Sequence, residues 1–186
     1  MLIFLIIFIG LVVLYIMATY NKFVAIKKSR LKNAVQEIGN QLKRQADLIP
    51  NLLETVKGYM EHEKEIFEKI TEARKTVAGA LESNNAQRLI DAGAKLQTAL
   101  NPIRVVLESN PELKAEGPTM RLMDELRDTA DKLTYARRTL IDLTADFNRM
   151  VATVPSNMIA KLFGFSELPG LKTPEEGETK TPKVEF

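Results

Sequence analysis

Residues 1–21 read MLIFLIIFIGLVVLYIMATYN, and no side chain among them is charged until Lys22 follows. At about 1.5 Å per residue such a run covers roughly 30 Å as a helix, the thickness of a bilayer's hydrocarbon core. It therefore predicts a membrane-spanning helix over residues 1–21. A cleaved signal peptide is the competing reading. It calls for a cationic start, a shorter apolar stretch and a small-residue cleavage site. No Lys or Arg precedes the run, and Met17-Ala18-Thr19-Tyr20-Asn21 puts bulky residues where cleavage needs small ones. Tyr15 and Tyr20 suit the membrane–water boundary, which accommodates both an apolar ring and a hydroxyl.

Working outward, the flanking charge sets an orientation. Lys22, Lys27, Lys28, Arg30 and Lys32 all follow the run and none precedes it. Cationic flanks stay on the cytoplasmic side, so the N-terminus is expected outside the cytoplasmic membrane and the remainder inside. The same five cations can attract anionic lipid headgroups. No Cys is present, which fits a reducing compartment and excludes a lipidated cysteine.

The remaining chain is long enough for one domain with a real core. Its net charge of +2, with no Trp, is too small to argue for a nucleic-acid partner. Apolar residues recur at helical three- and four-residue spacing in four segments. These are Leu31 to Leu42, Ile49 to Leu81, Leu89 to Leu107 and Met123 to Val154. Strand-like alternation is lacking. The expectation is all-α: an N-terminal transmembrane helix, then an antiparallel (up-and-down) four-helix bundle over residues 22–165, and a disordered tail over 166–186. The first bundle helix is expected to continue from the membrane helix, in coiled-coil fashion, since no Pro or Gly lies between Leu11 and Ser29.

Breaks are placed by their chemistry. Asp47 is read as a helix cap, with Pro50 in the first turn, where a missing N–H is harmless. Ser83, Asn84 and Asn85 form the next turn, and Asn110-Pro111 and Gly117-Pro118 bracket the connection after it. Pro102 is expected to kink or split its helix. Ser156 or Asn157 caps a short amphipathic helix ending near Phe163.

Catalytic groupings are sparse. His62-Glu63 invites a metal-dependent hydrolase, using these two residues and nearby carboxylates. A zinc helix needs a second His four residues on, where Ile66 stands, and His62 is the sole His. The carboxylates Glu61, Glu63, Glu65, Glu68 and Glu72 read as a solvated face, with Glu65 and Lys69 attracting at i,i+4. Asp124, Glu125, Asp128 and Asp131 form a similar acidic face. Arg137 falls on the extrapolated apolar stripe between Leu133 and Leu140. It either pairs with Glu54 or Glu63 or carries its guanidinium out to solvent. No cofactor is expected.

Two stretches resemble the bacterial LemA family. One runs from Gln41 through Asp47-Leu48-Ile49-Pro50-Asn51-Leu52 to Gly58-Tyr59, then His62-Glu63 and Ala73-Arg74. The other joins Asn110-Pro111-Glu112-Leu113-Lys114-Ala115 and Ala136-Arg137-Arg138 with Pro155-Ser156-Asn157-Met158-Ile159-Ala160 and Phe163-Gly164-Phe165. Gln45-Ala46 departs where a further basic residue is usual, and Val35 and Gly39 stand where Trp and Asp are common. The resemblance implies a membrane anchor and a helical bundle, and implies no biochemical activity. Read physically, Leu48 or Ile49 staples to Leu52 or Leu53, and Gly58 permits close helix approach beside Tyr59.

The expected function is a non-enzymatic, membrane-anchored scaffold or interaction module. Its surface is the exposed face of the second helix with the Pro155–Phe165 segment, and its partners are the bilayer and a protein. Self-association through the membrane helix is a third reading. Gly10 has Leu14 four positions on, so the close-packing G-x-x-x-G signal is missing.

Overall fold

A computed structural model of the chain describes residues 1–59, 63–83, 85–115 and 117–172. It is all-α, with no strand among the described residues. The order is α1 (Leu2–Val24), a π-helical segment (Ala25–Arg30), α2 (Leu31–Val56), α3 (Glu63–Ser83), α4 (Ala86–Ser109), α5 (Pro111–Ala115), α6 (Gly117–Ala152) and α7 (Ser156–Leu162). The backbone is helical without interruption from Leu2 to Val56, so the first bundle helix continues from the membrane helix as the lack of Pro and Gly between Leu11 and Ser29 predicts.

α2 starts before and ends after the point where its Asp and Pro predict a helix start. Asp47 caps nothing: Asp47 and Pro50 both lie inside α2, which ends at Val56. The stripe Ile38, Leu42, Gln45, Ile49, Leu52 and Val56 continues through Pro50 in phase and is buried throughout. Pro inside a helix costs about 3 kcal/mol. Burying Ile49, Leu52 and Val56 returns about 1.5–3 kcal/mol each, so packing overrides the punctuation. Pro50 itself is exposed. The break comes instead at Gly58, whose φ of +87° is the left-handed conformation that ends helices. The Tyr59 N–H donates to the Val56 carbonyl at 3.1 Å. A Cβ on Gly58 would meet nothing within 4 Å, so its role is this turn and not close helix approach. Pro102 likewise leaves α4 unsplit, because Leu100, Ile103 and Leu107 around it are buried.

Other boundaries follow the expected chemistry. The Asn85 side chain caps α4, accepting from the Arg88 N–H at 3.1 Å; Asn84 lies outside the described residues. Pro111 opens α5 and Gly117 opens α6. Ser156 does not cap α7. Its hydroxyl donates back to the carbonyls of Met150 at 2.7 Å and Thr153 at 2.9 Å, so it closes the end of α6 instead.

The chain divides into two compact units. One comprises Met1–Ala34 and Arg138–Gly170. Its centre is aromatic: Phe23 and Phe147 are fully buried. Their rings meet edge to face at 5.5 Å, and Phe165 stacks on Phe23 at 4.7 Å. Phe165 reaches this position because α7 ends in a Schellman turn. Gly164 has φ +71°; the Phe165 N–H bonds the Ala160 carbonyl at 2.8 Å and the Gly164 N–H bonds that of Lys161 at 3.4 Å. Asn148 then holds both backbone groups of Leu168, donating to its carbonyl at 2.9 Å and accepting from its N–H at 2.8 Å.

The other unit comprises Val35–Arg137 and Leu171–Phe186, of which residues 173–186 are outside the described residues. Here α3 packs on α4. Glycines allow two close approaches: a Cβ on Gly93 of α4 would sit 3.1 Å from Leu42 Cδ2 on α2 and 3.5 Å from Leu133 Cδ2 on α6, and one on Gly39 of α2 would sit 3.3 Å from Leu81 Cδ2 on α3. Gln87 holds Lys172 as Asn148 holds Leu168, through its N–H and its carbonyl, each at 2.9 Å. The tail expected to be free from Ser166 is therefore pinned at Leu168 and at Lys172. The remaining tail residues, 173–186, lie outside the described residues.

Candidate functional site

Two features of the second unit carry functional character. The first is a cleft of about 430 Å³ between α2, α4 and α6. Leu52, Ile103, Leu107 and Leu126 contribute apolar wall, and Arg104, Arg127, Asp124 and Asp131 line it too. Gln45 lies at its base with no exposure, and neither its Nε2 nor its Oε1 has a hydrogen-bond partner. A buried amide without partners costs about 1–3 kcal/mol. Beside it, Arg44 pairs with Glu125 and reaches Asp128 at 4.0 Å. Lys132 pairs with Asp128 at 2.7 Å. The acidic face expected to be merely solvated is therefore partly neutralised by α2.

The second is the solvent face of α2. Asp47, Pro50, Asn51 and Glu54 recur at helical spacing and all are exposed. The Asn51 carbonyl accepts from the Thr55 hydroxyl at 2.9 Å, an ordinary bond within the helix. Among the described residues no hydrogen bond or ion pair involves the side chains of Asp47 or Asn51.

The other expected residues fall as follows. Tyr59 is exposed just past the Gly58 turn. Arg137 is half-buried but off the stripe, which runs through Leu133, Ala136 and Leu140; no ion pair joins it to Glu54. Ala136 takes the inward position because a three-residue step from Leu133 precedes a four-residue step to Leu140. The Glu63 side chain and His62 lie outside the described residues. Asn157 is half-buried with its Oδ1 unpartnered. Glu65 and Lys69 pair as expected, at 2.7 Å. Among the described residues no three of His, Cys, Asp and Glu gather closely enough to hold a metal ion, and nothing points to a hydrolase.

Lys22, Lys27, Lys28, Arg30 and Lys32 are all exposed, and the sequence pattern alone did not explain how. Buried positions step from Phe23 to Ile26 and then to Leu31. That last step of five residues is spanned by the π-helical segment, whose closing bond runs from the Leu31 N–H to the Ile26 carbonyl. The wider turn lets residues 27–30 face outward together. The five-residue gap in the apolar pattern was the signal available for it.

The LemA family model matches residues 34–186. The chain belongs to the LemA family. No curated protein matches it. In this LemA-family chain the D-L-I-P-N-L run at 47–52 divides by face: Ile49 and Leu52 are buried, whereas Asp47, Pro50 and Asn51 point to solvent. The family-like Phe163-Gly164-Phe165 has a folding role, since Gly164 delivers Phe165 to the aromatic centre.

Proposed function

We propose that this LemA-family protein is a single-pass membrane anchor carrying a helical interaction module, a scaffold and not an enzyme, with its helical domain on the cytoplasmic side. Supporting the anchor, α1 is long and apolar enough to cross a membrane, and the large apolar side chains of residues 2–15, such as Phe4 at 78% exposure, are uncovered. An uncovered apolar surface of that extent calls for a lipid or protein cover. The cations at 22–32 support the orientation.

One observation carries the interaction role. Pro50 forfeits a helix bond on an exposed face, and its own ring is not buried in return. Positions that break a folding rule without structural return mark functional surfaces. The Asp47–Pro50–Asn51 face of α2 is therefore the proposed contact for a protein partner. Proximity labelling from a tag on the C-terminus of the full chain tests this. Labelled proteins should be cytoplasmic or facing the cytoplasm. A Pro50→Ala/Asn51→Ala double variant should lose specific partners while staying in the membrane. An unchanged partner set would remove this surface, and labelling confined to the outer side would reverse the topology.

A further inference from the structure

We propose that α7 and its flanking turns form a second membrane contact, an interfacial segment lying at the boundary between headgroups and acyl chains. The proposal rests on α1 being the membrane anchor.

Its first support is that α7 is apolar on two sides. Ile159 and Ala160 are buried within the first unit. Met158 and Leu162, one turn apart, are 69% and 71% exposed, and Val154, a turn earlier, is 76% exposed. Phe163 is half uncovered as well, at 46%. A helix that has satisfied one apolar face gains nothing in water from a second. At a lipid boundary the second face is worth roughly 25 cal/mol per Å² buried.

The second support is depth. α7 packs on α1, and the Phe163 and Tyr20 ring centroids lie 4.7 Å apart. Tyr20 stands at the end of the uncharged run. If that run fills a hydrocarbon core of roughly 30 Å, Phe163 sits where the core gives way to headgroups. An aromatic ring beside a tyrosine is suited to that level.

The third support is charge. No Asp or Glu occurs before Glu37, nor between Asp146 and Glu167. The cations nearby are Lys22, Lys27, Lys28, Arg30 and, on α7, Lys161, and all are exposed. Lys27 Nζ lies 6.0 Å from the centre of the Phe165 ring, which ties the basic segment to the turn after α7. Asp146 is paired with Arg149 and Glu167 stands beyond Phe165, so a mainly cationic rim borders the apolar edge, complementary to anionic lipid phosphate.

The absence of Trp makes the test direct. Three single-tryptophan versions of the full chain, Leu11→Trp, Leu162→Trp and Tyr135→Trp, are placed in nanodiscs of phosphatidylcholine and phosphatidylglycerol, with lipids brominated near the headgroup end of the acyl chains to read Leu162→Trp and Tyr135→Trp and deep in the chains to read Leu11→Trp. All three sites are exposed in the protein, so each reporter leaves the packing intact, and circular dichroism checks this. The Leu162→Trp reporter should be quenched by bromolipid at least about twofold more strongly than the Tyr135→Trp reporter, and should resist aqueous acrylamide. Adding Lys27→Gln, Lys28→Gln and Lys161→Gln should weaken its quenching in anionic discs. If Leu11→Trp is quenched but Leu162→Trp behaves like Tyr135→Trp, α7 faces water or a protein partner and the proposal is overturned while the anchor stands. If Leu11→Trp is not quenched either, the anchor reading itself fails.

Discussion

Pro50 is the residue at which sequence punctuation and packing conflict. Its ring occupies an exposed position in a helix held by buried neighbours on both sides. Pro50→Ala should therefore restore a helix bond and stabilise the protein by about 1–3 kcal/mol, read as a higher thermal midpoint by circular dichroism in detergent. Gln45 poses the same question inside the cleft, since both amide atoms are buried without partners. Gln45→Met keeps the volume and removes the desolvated amide, and should stabilise by roughly 1–2 kcal/mol in the same assay. A stabilised variant that loses partner labelling would mark Gln45 as functional; one that keeps it would leave a packing role. Gly164 gives the opposite sign. A Cβ there has open space but a φ of +71°, so Gly164→Ala should destabilise by about 1–2 kcal/mol. The loss should appear first as faster hydrogen exchange at the Phe165 amide, which bonds Ala160.

Among the elements, most helices were legible from their stripes, because an apolar residue every three or four positions is the physical requirement for packing. The end of α2 was not. Asp and Pro mark a helix start locally, but Ile49, Leu52 and Val56 keep the stripe in phase, and burial outweighs a local signal. The true stop, Gly58, was visible as a glycine but read as a spacer. Arg137 was misplaced because a stripe extrapolated at four-residue steps ignores the three-residue step to Ala136. The π-helical segment shows in the sequence only as the five-residue gap between Ile26 and Leu31. That segment holds one residue more than an α-helical path needs. Deleting Ser29 should let it relax to α-helix with the stripe still in phase, leaving the thermal midpoint within a few degrees of wild type. Deleting Lys43, inside regular α2, turns Gln45, Ile49, Leu52 and Val56 by about 100° against Ile38 and Leu42 and should abolish cooperative unfolding.

For the whole molecule, the sequence announces an apolar helix but not where the folded protein begins. Residues 1–21 and 22–165 look like separate parts because charge starts at Lys22. Thr19 and Phe23 are nonetheless buried inside the unit that also holds Phe147 and Phe165. That partnership joins residues far apart in the chain, which no local pattern encodes. It makes truncation informative. Removing residues 2–15 takes away only exposed side chains and should release a folded, water-soluble protein whose thermal midpoint matches that of the full chain in detergent. Removing residues 2–30 also strips Thr19, Phe23 and Ile26 from the first unit. Losing a buried Phe alone costs about 3–5 kcal/mol. Phe147 and Phe165 would then be left uncovered, so this version should show weakened near-ultraviolet dichroism and bind a hydrophobic dye. Equal stability of the two truncations would mean that α1 contributes nothing to folding and that the aromatic centre does not form in solution.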